Sequence, residues 1–96
     1  MSRYALETAI LKAGGQTQLA RKINLAIDLM IKNGCYKDER PPLKVKQNNI
    51  WKWLNDYKGP IPPAEYVVPI EFAVGIPREK LRKDLYLTII DTKIKY

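Results

Sequence analysis

The chain contains no histidine and a single cysteine, Cys35. One cysteine allows no internal disulfide, and without a histidine or a second cysteine the usual zinc ligand sets are out of reach. Cys35 is expected to serve as a small buried or half-exposed hydrophobe. No nucleophile–base pair and no metal set can be assembled either, so the residues give no support to an enzyme and no cofactor is expected. Glu65 and Glu71 resemble a carboxylate pair, but on an amphipathic helix such residues are expected as solvated surface. No apolar run of about 18 residues is present, which excludes a helical membrane span, and the opening MSRYALETAI has no secretory pattern. A cytoplasmic protein is the expectation. Internal repeats, low-complexity tracts and phosphate-cradling glycine motifs are also missing.

Acidic residues are in short supply. Ten Asp+Glu face 17 Lys+Arg, for a formal net charge of +7 and a pI near 9.6. That imbalance favours a polyanionic partner, nucleic acid before an acidic membrane surface. Ninety-six residues with 46% hydrophobic content can bury one modest core, so a single domain is expected.

The stretch Val45–Asn55, VKQNNIWKWLN, has polar residues suited to recognition. At 3.6 residues per turn, Val45, Ile50, Trp53, Leu54 and Tyr57 fall on one side and make a core-facing arc. Gln47, Asn48, Trp51, Lys52 and Asn55 fall on the other. Gln and Asn can bond an adenine edge with two hydrogen bonds, and Lys reaches guanine acceptors or phosphates. The large indole of Trp51 is out of place in that polar arc, and two readings stand open for it: packing on another part of the protein or a partner subunit, or contact with thymine methyls or sugars.

Upstream, Leu6, Ala9, Ile10 and Ala13 recur at helical spacing over Tyr4–Ala13, and Gly14-Gly15 ends that helix. A second helix starts with Gln16-Thr17-Gln18 and runs through Leu19, Ala20 and Ile23. If the unit binds DNA, the amides of this N-terminus and the Gln16 side chain can hold a phosphate.

GGQTQLARKIN followed by VKQNNIWKWLN resembles the helix-turn-helix of the Cro-like and YdaS-like phage regulators, whose pattern is GGQ-x-x-LA and then V-x-Q-x-x-[VI]-x-x-WL. The stretch IPPAEYVVPIEFAVGIPREKLRKDLY, residues 61–86, is similar to the family's ending, so the resemblance covers roughly three quarters of the chain. It implies a mostly α, lambda-repressor/Cro-like bundle of about five helices, acting as a sequence-specific repressor or antitoxin-type regulator of a phage, prophage or mobile element, and the C-terminal alternation adds a β-strand to it. Carried over by position, it puts DNA contacts on Lys46, Gln47, Asn48, Trp51 and Lys52, with a phosphate contact near Gln16 and Thr17. Gln18, Asn55 and Lys58 complete the candidate DNA-binding set.

One departure is large. Where the pattern has a tight turn after Asn24, twenty residues, 25–44, are inserted. Leu25, Ile27, Leu29, Met30 and Ile31 predict helix to about Asn33, ending at Gly34, with Leu29 in an enlarged core under Trp51 or Trp53. Nine added helical residues advance about 14 Å, and a return of about 3.3 Å per residue over ten residues covers it. Asp38–Pro42 is a loop because its prolines bar helix. The same apolar insertion offers the alternative function, an antitoxin-type interaction module that binds a toxin.

Downstream, a helix is predicted over Ala64–Val74 with Tyr66, Val67, Ile70, Ala73 and Val74 inward and Pro69 loosening its ladder. A short helix over Pro77–Leu85 should bury Leu81 and Leu85. Leu87–Tyr96 has the alternation of a strand, with Ile90, Thr92, Ile94 and Tyr96 on one side. The predicted organisation is therefore a DNA-binding domain over 1–86 and a strand over 87–96 as a candidate dimerisation arm. Double-stranded DNA read by a homodimer is the expected partnership.

Overall fold

The computed structural model describes residues 2–55 and 62–81. The predicted strand 87–96, Tyr57, Lys58 and Leu85 lie outside the described residues. Within them the protein is mostly helical: α1 Ser2–Ala13, α2 Gln16–Lys32, α3 Gln47–Asn55, a 3-10 turn Ala64–Tyr66 leading into α4 Val67–Val74, and α5 Arg78–Leu81. The expected five helices thus become four of at least eight residues and a single turn among the described residues. None of them is long and apolar enough to cross a membrane.

The longest helix, α2, is the hub, packing against α1, α3 and α4. Its Leu19, Ala20, Ile23, Ala26, Ile27 and Met30 are buried, one continuous stripe at helical spacing. Leu6, Ala9 and Ala13 of α1 meet this stripe as expected, joined by Ala5. The α1–α2 junction depends on two consecutive glycines at φ 98 and 125, values that a side chain would make costly. The Gly14 N–H bonds the Leu11 carbonyl at 3.2 Å and the Gly15 N–H bonds the Ile10 carbonyl at 2.9 Å. That pair of bonds caps the end of α1 and lets α2 begin one residue later.

The same capping pattern ends α2. The Gly34 N–H bonds Ile31 at 3.0 Å and the Cys35 N–H bonds Met30 at 2.9 Å, so the helix stops where the sequence predicts. Its outward face differs from expectation. Leu29 is 40% exposed, Leu25 60% and Ile31 46%, so Leu29 is not in an enlarged core. The reason is phase: Leu19 and Ile23 orient α2, and 3.6-residue steps from them reach Ala26, Ile27 and Met30. Cys35 is likewise exposed, rather than buried or half-exposed, being in the turn just past the cap.

Pro69 does not bend a continuous helix. Ala64–Tyr66 forms a 3-10 turn, α4 starts at Val67, and buried Pro69 occupies its first turn, where its missing N–H leaves no intrahelical bond unmade. Tyr66, Val67 and Ile70 are buried as expected, whereas Ala73 and Val74 are only half-buried. Leu81 of α5 is fully buried.

Glu71 is not the solvated surface carboxylate that the sequence suggests, although Glu65 is exposed. Its Oε1 accepts from Arg78 Nη2 at 2.6 Å and Nε at 2.9 Å, and its Oε2 accepts from the Arg78 backbone N–H at 3.0 Å. This three-bond clamp fixes α5 on the end of α4 across the left-handed Gly75. Partial burial pushes the Glu71 carboxyl up, but the Arg78 hydrogen bonds and charge outweigh it and the net shift is downward. A carboxyl lowered in the folded state stabilises above its ordinary value of about 4.5, and the gain is lost as pH falls through the lower folded value. Urea melts of Glu71→Gln should therefore show a flatter stability profile below about pH 4.5 than the wild type. Parallel profiles would mean that the clamp contributes nothing that depends on ionisation.

Candidate nucleic-acid interface

The α3 helix begins at Gln47, two residues later than the periodicity predicts, because the backbone of Val45 is already engaged. Its N–H donates to Asn24 Oδ1 and its carbonyl accepts from Asn24 Nδ2, both at 2.8 Å. One side chain thus makes the two bonds that a neighbouring strand would make. Lys46 then caps α3: its N–H donates to Asn49 Oδ1 at 2.8 Å, and its carbonyl accepts the Ile50 N–H. These contacts fix where α3 starts. Ile50, Trp53 and Val45 are buried and Leu54 is half-buried, so the core-facing arc is as predicted.

Asn24 and Val45 flank the insertion, and the bonds between them close it at its base. The rest of residues 25–44 leaves from this point and returns to it. On the return, the Leu43 carbonyl accepts from the Tyr66 hydroxyl at 2.6 Å, and the Tyr66 ring lies 5.1 Å from that of Trp53 at 42°. Burial first, and then the charge of Glu65, raise the Tyr66 pKa, which keeps this donor protonated. The Lys44–Asp28 ion pair at 2.8 Å joins two half-exposed side chains and adds little. Replacing Asn24 by alanine would leave both partly buried Val45 groups without these partners. A loss of about 1–3 kcal/mol in urea unfolding is expected. Stability within about 0.5 kcal/mol of the wild type would show that water replaces the amide.

On the opposite arc of α3, Lys46, Gln47, Asn48, Trp51, Lys52 and Asn55 are all exposed. Thr17 and Gln18, in the first turn of α2, are exposed beside half-buried Gln16. The two sets meet, since Gln47 Nε2 donates to Gln16 Oε1 at 2.5 Å. The N-termini of α2 and α3 are therefore neighbours. Neither has an acidic residue in its first turn, and α2 has no side-chain cap, so the N-terminal amides of α2 point to a position that an anion can occupy. At its other end α3 is tied to α1 through an Arg3 Nη1 bond to the Leu54 carbonyl, and Asn55 Nδ2 bonds the Trp51 carbonyl at 2.9 Å. Asn55 thus spends one of its donors on its own helix.

Nine of the ten candidate residues fall on this surface, and Lys58 lies outside the described residues. Asn24, Asn49, Arg3 and Tyr66, which hold the surface in place, were not singled out by sequence for that role. Only Asn49 carried a local signal, an Asn three residues after a cap position. Among the described residues no cluster of three or more His, Cys, Asp or Glu could hold a metal ion.

A family model described as Bacterial toxin YdaS matches residues 41–90, just over half of the chain. The match begins inside the insertion and takes in α3, α4 and α5, while α1 and α2 precede it. No curated protein and no solved structure matches the chain. On the extent of the family match, the chain belongs to the YdaS family.

Proposed function

We propose that this protein is a DNA-binding transcriptional regulator, a Cro/YdaS-like repressor of a phage or prophage, with a helix-turn-helix formed by α2 and α3. The observation that carries the reading is the Gln16–Gln47 bond. It unites an N-terminus free of acidic residues, able to take a backbone phosphate, with a helix face whose exposed Gln, Asn and Lys side chains have the donors and acceptors of base edges. In this arrangement Gln16, Thr17 and Gln18 hold the backbone, and Lys46, Gln47, Asn48, Lys52 and Asn55 enter the major groove. Two copies related by a two-fold axis would read half-sites about one helical turn apart.

Gel shifts on duplexes selected from a random pool test this directly. Binding should weaken steeply between about 50 and 200 mM salt, because neutralised phosphates release counterions. Failure to enrich any sequence, together with no salt-dependent binding to random duplex, would reject the reading.

A second reading is favoured by Leu25, Leu29 and Ile31, which leave apolar surface exposed on the inserted part of α2. An antitoxin-type module would use that surface for a toxin or other protein partner, and could do so while bound to DNA. Leu25→Ser with Leu29→Ser should then abolish partner binding and leave the gel shift unchanged.

A further inference from the structure

The exposed arc of α3 has Trp51 near its middle. Steps of about 100° per residue place Gln47 at 0°, Trp51 at about 40°, Asn55 at about 80°, Asn48 at about 100° and Lys52 at about 140°. In angle the indole lies between Gln47 and Asn48, about one turn further along α3, so a surface that engages both and follows the helix covers it. The ring is 44% exposed, and among the described residues the aromatic ring contact is between Trp53 and Tyr66, not at Trp51. The outer part of this large apolar group is thus left in water by the fold, on a face otherwise polar. Its neighbours Gln47, Asn48, Lys52 and Asn55 are all exposed as well, so nothing on α3 shields it.

We propose that Trp51 reads a thymine methyl group, so that each preferred half-site presents a T·A pair opposite the centre of α3. This deepens the DNA-binding reading above and rests on it. The argument is one of chemical matching. In the major groove the base edges show mainly hydrogen-bond donors and acceptors, and the C5-methyl of thymine is the one bulky apolar group, larger than the C5–H of cytosine. An indole face offers no acceptor and only one donor, at the ring edge, so it gains least from G·C edges and most from covering a methyl. Placed among amides that read adenine, it would favour A·T-rich half-sites read from both strands. A sugar contact would also cover the ring, but sugars are the same at every position and would give no preference among sequences.

The test uses the full chain and the tightest duplex recovered from the random pool, made once with thymidine and once with deoxyuridine at all positions. Deoxyuridine keeps every hydrogen-bonding group and removes only the methyl. Wild-type protein should bind the deoxyuridine duplex about fourfold more weakly for each methyl that Trp51 covers, the worth of one buried carbon. Trp51→Ala should bind the two duplexes more nearly equally, and single-site deoxyuridine replacements should place the effect at one position per half-site. Equal wild-type binding to both duplexes would overturn the proposal without depending on any variant, while the specificity loss of Gln47→Ala would show that DNA reading itself survives. Discrimination kept undiminished in Trp51→Ala would assign the methyl contact to another residue and overturn it too. No binding to any duplex would remove the DNA reading and this inference together.

Discussion

Ile27→Ala should lower the free energy of unfolding by about 2–4 kcal/mol, and Leu29→Ala, two residues along the same helix, by less than about 1 kcal/mol. Ile27 is fully buried in the main core, so truncation loses its transfer free energy and leaves a cavity that packed neighbours fill only in part. Leu29 is 40% exposed on the other side of α2, where water already replaces some of its contacts. The first loss is a large share of the roughly 5–15 kcal/mol that holds a small domain together. Equilibrium urea unfolding of both variants, compared through midpoint and slope, measures the difference. A larger loss for Leu29→Ala than for Ile27→Ala would mean that α2 is rotated about its axis with Leu29 inward, and equal losses would mean that Leu29 packs as closely as Ile27.

This contrast also marks the limit of legibility within the insertion. Leu25, Ile27, Leu29, Met30 and Ile31 spread over about two thirds of the helical wheel, so periodicity within the insertion does not choose a buried face. The choice is made upstream, by Leu19 and Ile23, which contact α1, α3 and α4 through the common core. Continuing their phase picks Ala26, Ile27 and Met30. The length of α2 was easier to read, because Gly34 stops it by local backbone chemistry alone. The candidate DNA face was legible for the same kind of reason: buried Ile50 and Trp53 fix one side of α3, and the polar residues have only the other side left.

What the sequence hid was everything made between side chains and distant backbone. Asn24 reads as one polar residue in a helix, yet it terminates the insertion by pairing with a backbone 21 positions away. Tyr66 reads as a core aromatic, and its hydroxyl fastens the chain at Leu43. Glu71 reads as a solvated surface charge, and it meets Arg78 only because Gly75 turns α5 back against α4. Such contacts depend on tertiary closeness, for which no local spacing rule exists.

Gln47→Ala should cost about 1–3 kcal/mol on the preferred duplex, about 5- to 150-fold in affinity, and leave binding to random duplex nearly unchanged. The geometry gives the reason. One Nε2–H of Gln47 is committed to Gln16 Oε1, which leaves its second N–H and its own Oε1, a donor and an acceptor side by side. That is the complement of the N7 acceptor and N6 donor of adenine. Gln16, with its oxygen occupied, keeps two Nε2 donors, so on the proposed DNA-binding reading the pair would couple a phosphate contact to base reading. On the same reading, this bond would hold the Gln47 side chain in place ahead of a duplex and reduce the conformational entropy lost on binding. Gln16→Ala should consequently weaken both specific and random binding, and specific binding more. Asn48→Ala should behave like Gln47→Ala, while Lys58→Ala should weaken all sequences alike and flatten the salt dependence. Titrations of the four variants on preferred and random duplexes at two salt concentrations give both terms at once. Equal losses on the two duplexes for Gln47→Ala and Asn48→Ala would mean that these amides touch only the backbone and that bases are read by another part of the protein.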